Sequence, residues 1–359
     1  MTDWHTAHVY YYESDRSGLL LDAVHPFLRE VEGTAARAYV VPHWLRGPHL
    51  RLNLSADNGV WTGVIRPAIE RVLGTYLDSH PSTARLDALA SLPQHRLLAE
   101  LEEQEGPLTP WFPDNTIQYP DYVSRAEAMG GAQIEELVTG FYVDSNPLYL
   151  DTVRHIRDMS EPADLVGLSL LFATAEAIGG LRRNVGSFRS HAEGFITQCV
   201  DPQAVRSVFD RQYERHHDAI TGLMLAVVGT LAGTAKPPVP LVDRWAALMR
   251  RSVQLAEPAV RSGALTMTES RRTAFIDNPG FPDYLRKAFN NKEYVRRALG
   301  NPDFHRYRVV LNFTYLQLSR LGQSPRTRYL LCHLAANAIE EYYSISAIDI
   351  IDKFVAEHP

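Results

Sequence analysis

Two periodicities divide this chain. Up to about residue 125, short runs alternate apolar and polar residues, separated by two stretches with apolar residues at helical spacing. Ala7 to Tyr12 is a strand of aromatic and β-branched type, stopped by Glu13-Ser14-Asp15, and Leu19 to Val31 is a helix ending before Gly33. Arg37 to Val41, bounded by Pro42, and His49 to Leu54, launched by the turn residues Gly47-Pro48, are two further strands. After the turn Ser55 to Gly59, Val60 to Tyr76 reads as a helix with Val64, Ile65, Ile69, Val72 and Leu73 on its buried side. A loop containing Pro93, Pro107, Pro110 and Pro113 follows. Asn115 to Val123 then supplies a fourth strand, which Pro120 confines to an edge. The order βαββαβ makes a four-stranded sheet with two helices on one face.

From about Gly130 the pattern turns helical and stays so. Gln133 to Val143, Pro162 to Leu181, Pro202 to Ala232, Val239 to Val260, Arg306 to Leu321 and Arg328 to Ser344 carry apolar residues three and four apart. Ser262 to Asn301 is polar, holds Asn278-Pro279-Gly280-Phe281-Pro282, and reads as short helices and turns capping a site. The expected architecture is α+β. A ferredoxin-like sheet module spans 1–125 and a large helical portion spans 126–359, the two forming one integrated domain.

Composition narrows the function classes. The chain has 359 residues, enough for a large core, and 45% hydrophobic with 22% charged residues is the balance of a soluble globular protein. A net charge of −6 argues against a nucleic-acid partner, which calls for a basic balance. Two cysteines, Cys199 and Cys332, suit a reducing compartment. The N-terminus lacks a basic segment followed by an apolar one, and no apolar run spans a bilayer, so a cytoplasmic protein without a membrane partner is expected. There is no GxGxxG, P-loop, HExxH or Cys-x-x-Cys. His216 and His217 are adjacent, hence about 100° apart on a helix, and cannot clamp one ion. No metal and no cofactor are expected. Chemistry falls to His, Arg, Tyr, Ser and amide groups.

The densest such group is Leu45-Arg46-Gly47-Pro48-His49-Leu50-Arg51-Leu52-Asn53-Leu54. Its leucines face one way; His49, Arg51 and Asn53 face the other, either as a solvated strand face or as donors aimed at a peptide. Five segments in order resemble the C-terminal, glutamate-eliminating domain of lantibiotic dehydratases, which also occurs alone in thiopeptide biosynthesis. They are His8 to Tyr12; Gly47 to Leu52; Gly130-Gly131 with Phe141 and Asp144-Ser145; Ser190 to Phe195; and Leu331 to Asn337. The resemblance therefore covers nearly the whole chain.

Its departures point to a subgroup. The lyases carry a second arginine where this chain has Asn53. Their Glu-x-x-Arg-Tyr-Gly-Gly motif becomes Tyr122 to Gly131, with Arg125 displaced, and their His-x-x-x-Asn-Arg motif becomes His333 to Ala338. Stabilising the enolate of an elimination calls for cations, so this chain resembles instead the thiopeptide pyridine synthases. The resemblance implies a formal [4+2] cycloaddition of two dehydroalanines in a modified precursor peptide, one amide reacting as its iminol, with loss of water and leader. The other readings are a glutamate-elimination lyase and a catalytically inactive peptide-binding partner subunit. The partner implied is a ribosomally made precursor peptide, leader plus dehydrated azole-containing core; other maturation enzymes and a homodimer are compatible.

The resemblance assigns His333, Arg51, Ser190, His191 and Tyr315 to catalysis, and His49, Asn53, Arg125, Gln317 and Asn337 to substrate binding. Several have simpler readings. His333 and Asn337, four apart on one helix face, can point together into a cleft or sit satisfied in a core. Tyr315, Gln317 and Ser319 cannot all share one face. Ser190 with Glu193 forms a capping box if a helix starts there. Arg125 replaces the displaced arginine, or pairs only with Glu127 or a helix end.

Overall fold

The computed structural model describes residues 3–359. The chain divides into two compact units, Met1–Ser160 and Glu161–Pro359, whereas a division near residue 125 was expected. The difference is the helix Ala132–Met159, which belongs to the first unit. Asn146 on it accepts from the Val40 N–H of the edge strand at 3.2 Å.

The first unit is built on an antiparallel sheet of β1 (Asp3–Tyr10), β2 (Arg37–His43), β3 (His49–Ala56) and β4 (Thr116–Gln118), in the order β2-β3-β1-β4. This is the topology expected from βαββαβ. β4 is a three-residue edge strand, shorter than the expected Asn115 to Val123 and ending before Pro120. Ala7, Val9, Val40, Leu50, Leu52 and Leu54 form one face and are all buried. Leu19, Val24 and Phe27 come from the helical stretch Leu19–Val24 and His25–Glu30. Ile65, Ile69 and Leu73 come from the one running from Asn58 to Ser79, and these six complete the core. Each buried leucine contributes about 1.5–3 kcal/mol.

Two expectations near prolines fail. Ala88–Leu101 is helical although Pro93 lies within it; the Asp87 carboxylate caps it by accepting from the N–H groups of Leu89 and Ala90 at 2.8 and 3.3 Å. Pro147 likewise lies inside Ala132–Met159, which was expected to end at Val143. The buried Leu148, Tyr149, Leu150 and Val153 outweigh the roughly 3 kcal/mol cost of an interior proline.

The second unit surrounds Ala163–Ala177, buried at every residue from Val166 to Ala175. Helices Pro202–Leu231, Val242–Arg261, Pro302–Arg320 and Pro325–Tyr343 stand where the apolar spacing placed them. The polar groups of the central helix are satisfied: Thr174 Oγ1 lies 2.8 Å from Thr314 Oγ1 and accepts from Trp245 Nε1 at 2.9 Å. One further helix, Leu181–Ile196, begins after Gly179-Gly180, whose φ of +101° and +92° break the chain direction. Residues 262–301 form the short helices expected. They share an apolar cluster, Phe281, Tyr284, Leu285, Phe289 and Leu299 with Ile351, rather than lying open. Among the described residues no helix is long and apolar enough to cross a membrane.

Candidate active site

Of the two readings of β3, a solvated polar face is not what forms. His49 is 0% exposed, Asn53 is buried and Arg51 half-buried. The register explains why. His49, Arg51 and Asn53 stand opposite Tyr10, His8 and Thr6 on β1, and opposite His43, Val41 and Tyr39 on β2, so the polar face is three strands wide and packs its own rings. His8 and His43 lie 4.6 and 5.4 Å from the His49 ring.

Gly47 sets this up. Its φ of +110° and the Tyr12 hydroxyl, 2.6 Å from where a Cβ would stand, both require glycine. Its carbonyl accepts the His49 Nδ1–H at 2.8 Å, and His49 Nε2 accepts the Arg51 Nε–H at 3.2 Å. Those two bonds assign a neutral imidazole with its lone pair on Nε2. Burial, reinforced by the Arg51 charge, lowers His8 to about 3. Burial first, then the neighbouring charges, also hold His43 and His49 well below the ordinary imidazole value. Burial lowers Arg51 to about 10, leaving it charged near neutrality. Its two terminal nitrogens have no hydrogen-bond partner among the described residues. Three neutral rings thus surround one cation with spare donors. Arg125 is committed elsewhere: it donates to Gln104 Oε1 at 3.2 Å and to the Glu102 carbonyl, and so does not pair with Glu127.

In the second unit, Leu181–Ile196, Pro202–Leu231 and Pro325–Tyr343 hold a buried polar network. Arg189 donates to Asn337 Oδ1 at 2.5 Å and pairs with Glu340, with Glu193 3.7 Å away. Arg206 grips Glu193 with two bonds of 2.6 and 2.5 Å. His333, 1% exposed, places Nε2 2.8 Å from Asp210 Oδ1 and 3.1 Å from Asn337 Nδ2. Because Asn337 Oδ1 is taken by Arg189, the Nε2 proton serves Asp210. Burial and the Arg189 charge lower the His333 pKa, while Asp210 works against them.

His191 is arranged differently. Its Nδ1–H donates to the Ser187 carbonyl at 3.1 Å, and its ring lies 4.7 Å from the Tyr315 ring. The lone pair on Nε2 is therefore free. Burial lowers its pKa to about 4, so the ring is neutral and able to accept a proton.

Three assignments need correction. Ser190 lies in the third turn of Leu181–Ile196 and donates to the Gly186 carbonyl at 2.6 Å; it caps nothing, and Glu193 is an ion-pair residue. Gln317 is a fully buried core side chain whose Oε1 accepts from Arg320. Tyr315 is buried with its hydroxyl 3.4 Å from Cys332 Sγ, so its ring lies beside His191 while its proton stays inside the core. Burial raises that hydroxyl well above the ordinary phenol value.

Sequence reasoning missed His8, His43, Asp210 and Arg189. The period-2 pattern of β1 could have given His8, which alternates with buried Ala7 and Val9. Asp210 carried no local signal, since it meets His333 from 123 residues away. Among the described residues, no cluster of three or more His, Cys, Asp or Glu is placed to hold a metal ion.

The family model for the C-terminal part of the lantibiotic biosynthesis dehydratases matches residues 4–339. The chain belongs to that family. Among solved structures, it is similar to a pyridine synthase, TbtD, from thiomuracin biosynthesis, with 32% identity, a TM-score of 0.78 and coverage of 96% of this chain and 99% of that one. It also shares its fold with TsrL, at 21% identity and a TM-score of 0.70, over 98% of each chain. No curated protein matches it.

The strand Gly47 to Leu54 and the helix carrying His333 and Asn337 each hold the buried polar groups of their unit. Ala338 is 1% exposed and points into the core.

Proposed function

We propose that this protein is a thiopeptide pyridine synthase. It takes a ribosomally made precursor peptide, leader plus dehydrated azole-containing core, and joins two dehydroalanines by a formal [4+2] cycloaddition. Loss of water and expulsion of the leader as its carboxamide give the pyridine-centred macrocycle. The observation that carries the reading is the 32% identity to a pyridine synthase over essentially both full chains.

The geometry within each unit supports neutral chemistry. The reaction isomerises one amide to its iminol, closes a ring and expels two neutral molecules, all without net redox change, so it calls for positioning and proton transfer. His191 carries a free lone pair on a ring fixed by one helix carbonyl and one aromatic neighbour. It acts as the proton-transfer group. Arg51, with unpaired terminal nitrogens among neutral imidazoles, binds peptide oxygens. His333, held by its Nε2–H bond to Asp210, positions the surrounding helices. Mass spectrometry of the protein with a dehydrated, azole-bearing precursor tests the reading. A macrocycle together with a released leader carboxamide supports it. A glutamylated peptide converted to dehydroalanine instead makes the protein a lyase, and neither product leaves a peptide-binding role.

A further inference from the structure

Arg328 lies in the first turn of Pro325–Tyr343, half-buried. Its guanidinium carbon stands 5.2 Å from the centroid of the Tyr315 ring and 5.1 Å from that of Tyr329. Two aromatic rings hold a cation through their quadrupoles. They leave its donors unspent: Nη2 reaches only the Tyr329 hydroxyl, at 3.5 Å, and Nε is buried without an acceptor. Among the described residues no carboxylate pairs with it. A cation withdrawn from water ordinarily has an acid partner, as Arg189 and Arg206 have in Glu193 and Glu340. Arg328 has aromatic walls and spare N–H groups instead.

His191 lies against the same Tyr315 ring, at 4.7 Å, with its Nε2 lone pair free. A free acceptor and an unpaired fork of donors therefore flank one aromatic ring. An amide offers the matching pair, an N–H and a carbonyl oxygen.

We propose that Arg328 is a catalytic residue that binds the carbonyl oxygen of the reacting amide while His191 Nε2 takes the amide proton. The proposal rests on the pyridine-synthase reading and adds to it a donor for the reacting amide's oxygen. In the step, the amide N–H bond breaks and its proton goes to Nε2. The nitrogen electron pair forms C=N as the carbonyl π pair moves onto oxygen, giving an imidate held by the guanidinium. The imidazolium then returns the same proton to that oxygen, and the amide has become an iminol. Nothing is oxidised or reduced, and Arg328 keeps its own protons. The demand for a cation is physical. Burial makes His191 a weak base, and a weak base removes an amide proton only where the developing oxyanion is stabilised.

The test uses the full chain with Arg328→Gln and Arg328→Lys, the dehydrated azole-bearing precursor, turnover by mass spectrometry and peptide affinity by calorimetry. Loss of one oxyanion donor lowers turnover by roughly 10²–10³-fold. Arg328→Gln should show that fall in kcat, with KM and peptide affinity within about threefold of wild type. Arg328→Lys, keeping the charge without the planar fork, should recover about tenfold or more of it. Arg328→Gln within about threefold of wild type in kcat overturns the proposal. So does a loss confined to KM, or a lysine variant no better than glutamine. If Arg328→Gln does not fold, Arg328→Lys decides: reduced kcat at unchanged KM supports the proposal, and wild-type kcat overturns it. An active wild type with an active glutamine variant removes this role alone, whereas a wild type that makes no macrocycle removes the pyridine-synthase reading and the role with it.

Discussion

His191→Phe separates proton transfer at this position from packing. A phenyl ring preserves the face that lies 4.7 Å from Tyr315, so no cavity opens. The one bond removed is from Nδ1–H to the Ser187 carbonyl at 3.1 Å. A hydrogen bond of that kind contributes about 0.5–1.5 kcal/mol net. For a unit of this size each kcal/mol moves Tm by about 2–4 °C, so the variant should melt within about 6 °C of wild type. The effect on rate is of another order. Removing a positioned proton-transfer group costs about 10²–10⁴-fold, which is roughly 2.7–5.5 kcal/mol of barrier at 1.36 kcal/mol per factor of ten. Initial rates of macrocycle formation by liquid chromatography and mass spectrometry, beside a thermal melt, read both quantities. The wild-type pH profile adds an independent check. Because burial lowers His191 to about 4, the base stays unprotonated and the rate should be level from pH 8 to about 5, falling only below that. Activity of the phenylalanine variant within about threefold of wild type, or an acid limb centred between pH 6 and 7, would refute the assignment.

Arg51→Ala removes the donor to His49 Nε2 and should cost about 1–2 kcal/mol in stability, with peptide affinity by calorimetry falling about tenfold or more; unchanged affinity and turnover remove β3 from the site. Ala338→Arg, which restores the family's lost arginine, should unfold the second unit in a thermal melt, because a long cation replaces a buried methyl group; a soluble variant with wild-type Tm contradicts the burial. Stability should also fall in acid. His8, about 3 in the folded state, and the lowered His43 and His49 bind protons more readily unfolded. Their contribution is therefore present above about pH 6.5 and lost as pH falls from there toward 3; a urea midpoint that stays constant over that range excludes it.

The sheet order was legible because strands with period 2 and helices with wider spacing alternate in a pattern that few topologies accept. The long helices of the second unit were legible for the same reason. Pro93 and Pro147 misled the reading, since burial and capping elsewhere in each helix offset a local break. Gly179-Gly180 did break the chain. The helix it begins at Leu181 went unread, and so a helix start at Ser190 stayed open as an alternative to its catalytic reading. On β3 the alternation gave the three residues that share a face and left their environment open: a strand reports which residues share a face, while the side chains beside them come from β1 and β2. The ion-pair network around Arg189 and the pairing of His333 with Asp210 join helices that are far apart in sequence, so no local spacing encodes them. Arg328 carried no motif at all, and only the two rings beside it reveal that it lacks an acid partner.

The central claim is that this chain forms a pyridine from two dehydroalanines. Purified protein should be incubated with a synthetic precursor bearing leader, azoles and two dehydroalanines, and the products resolved by high-resolution mass spectrometry. The account predicts two new species, a macrocycle lighter than the full precursor by one water and the leader carboxamide, and that leader ending in a carboxamide. An unchanged linear precursor, under conditions where the peptide binds, would contradict it.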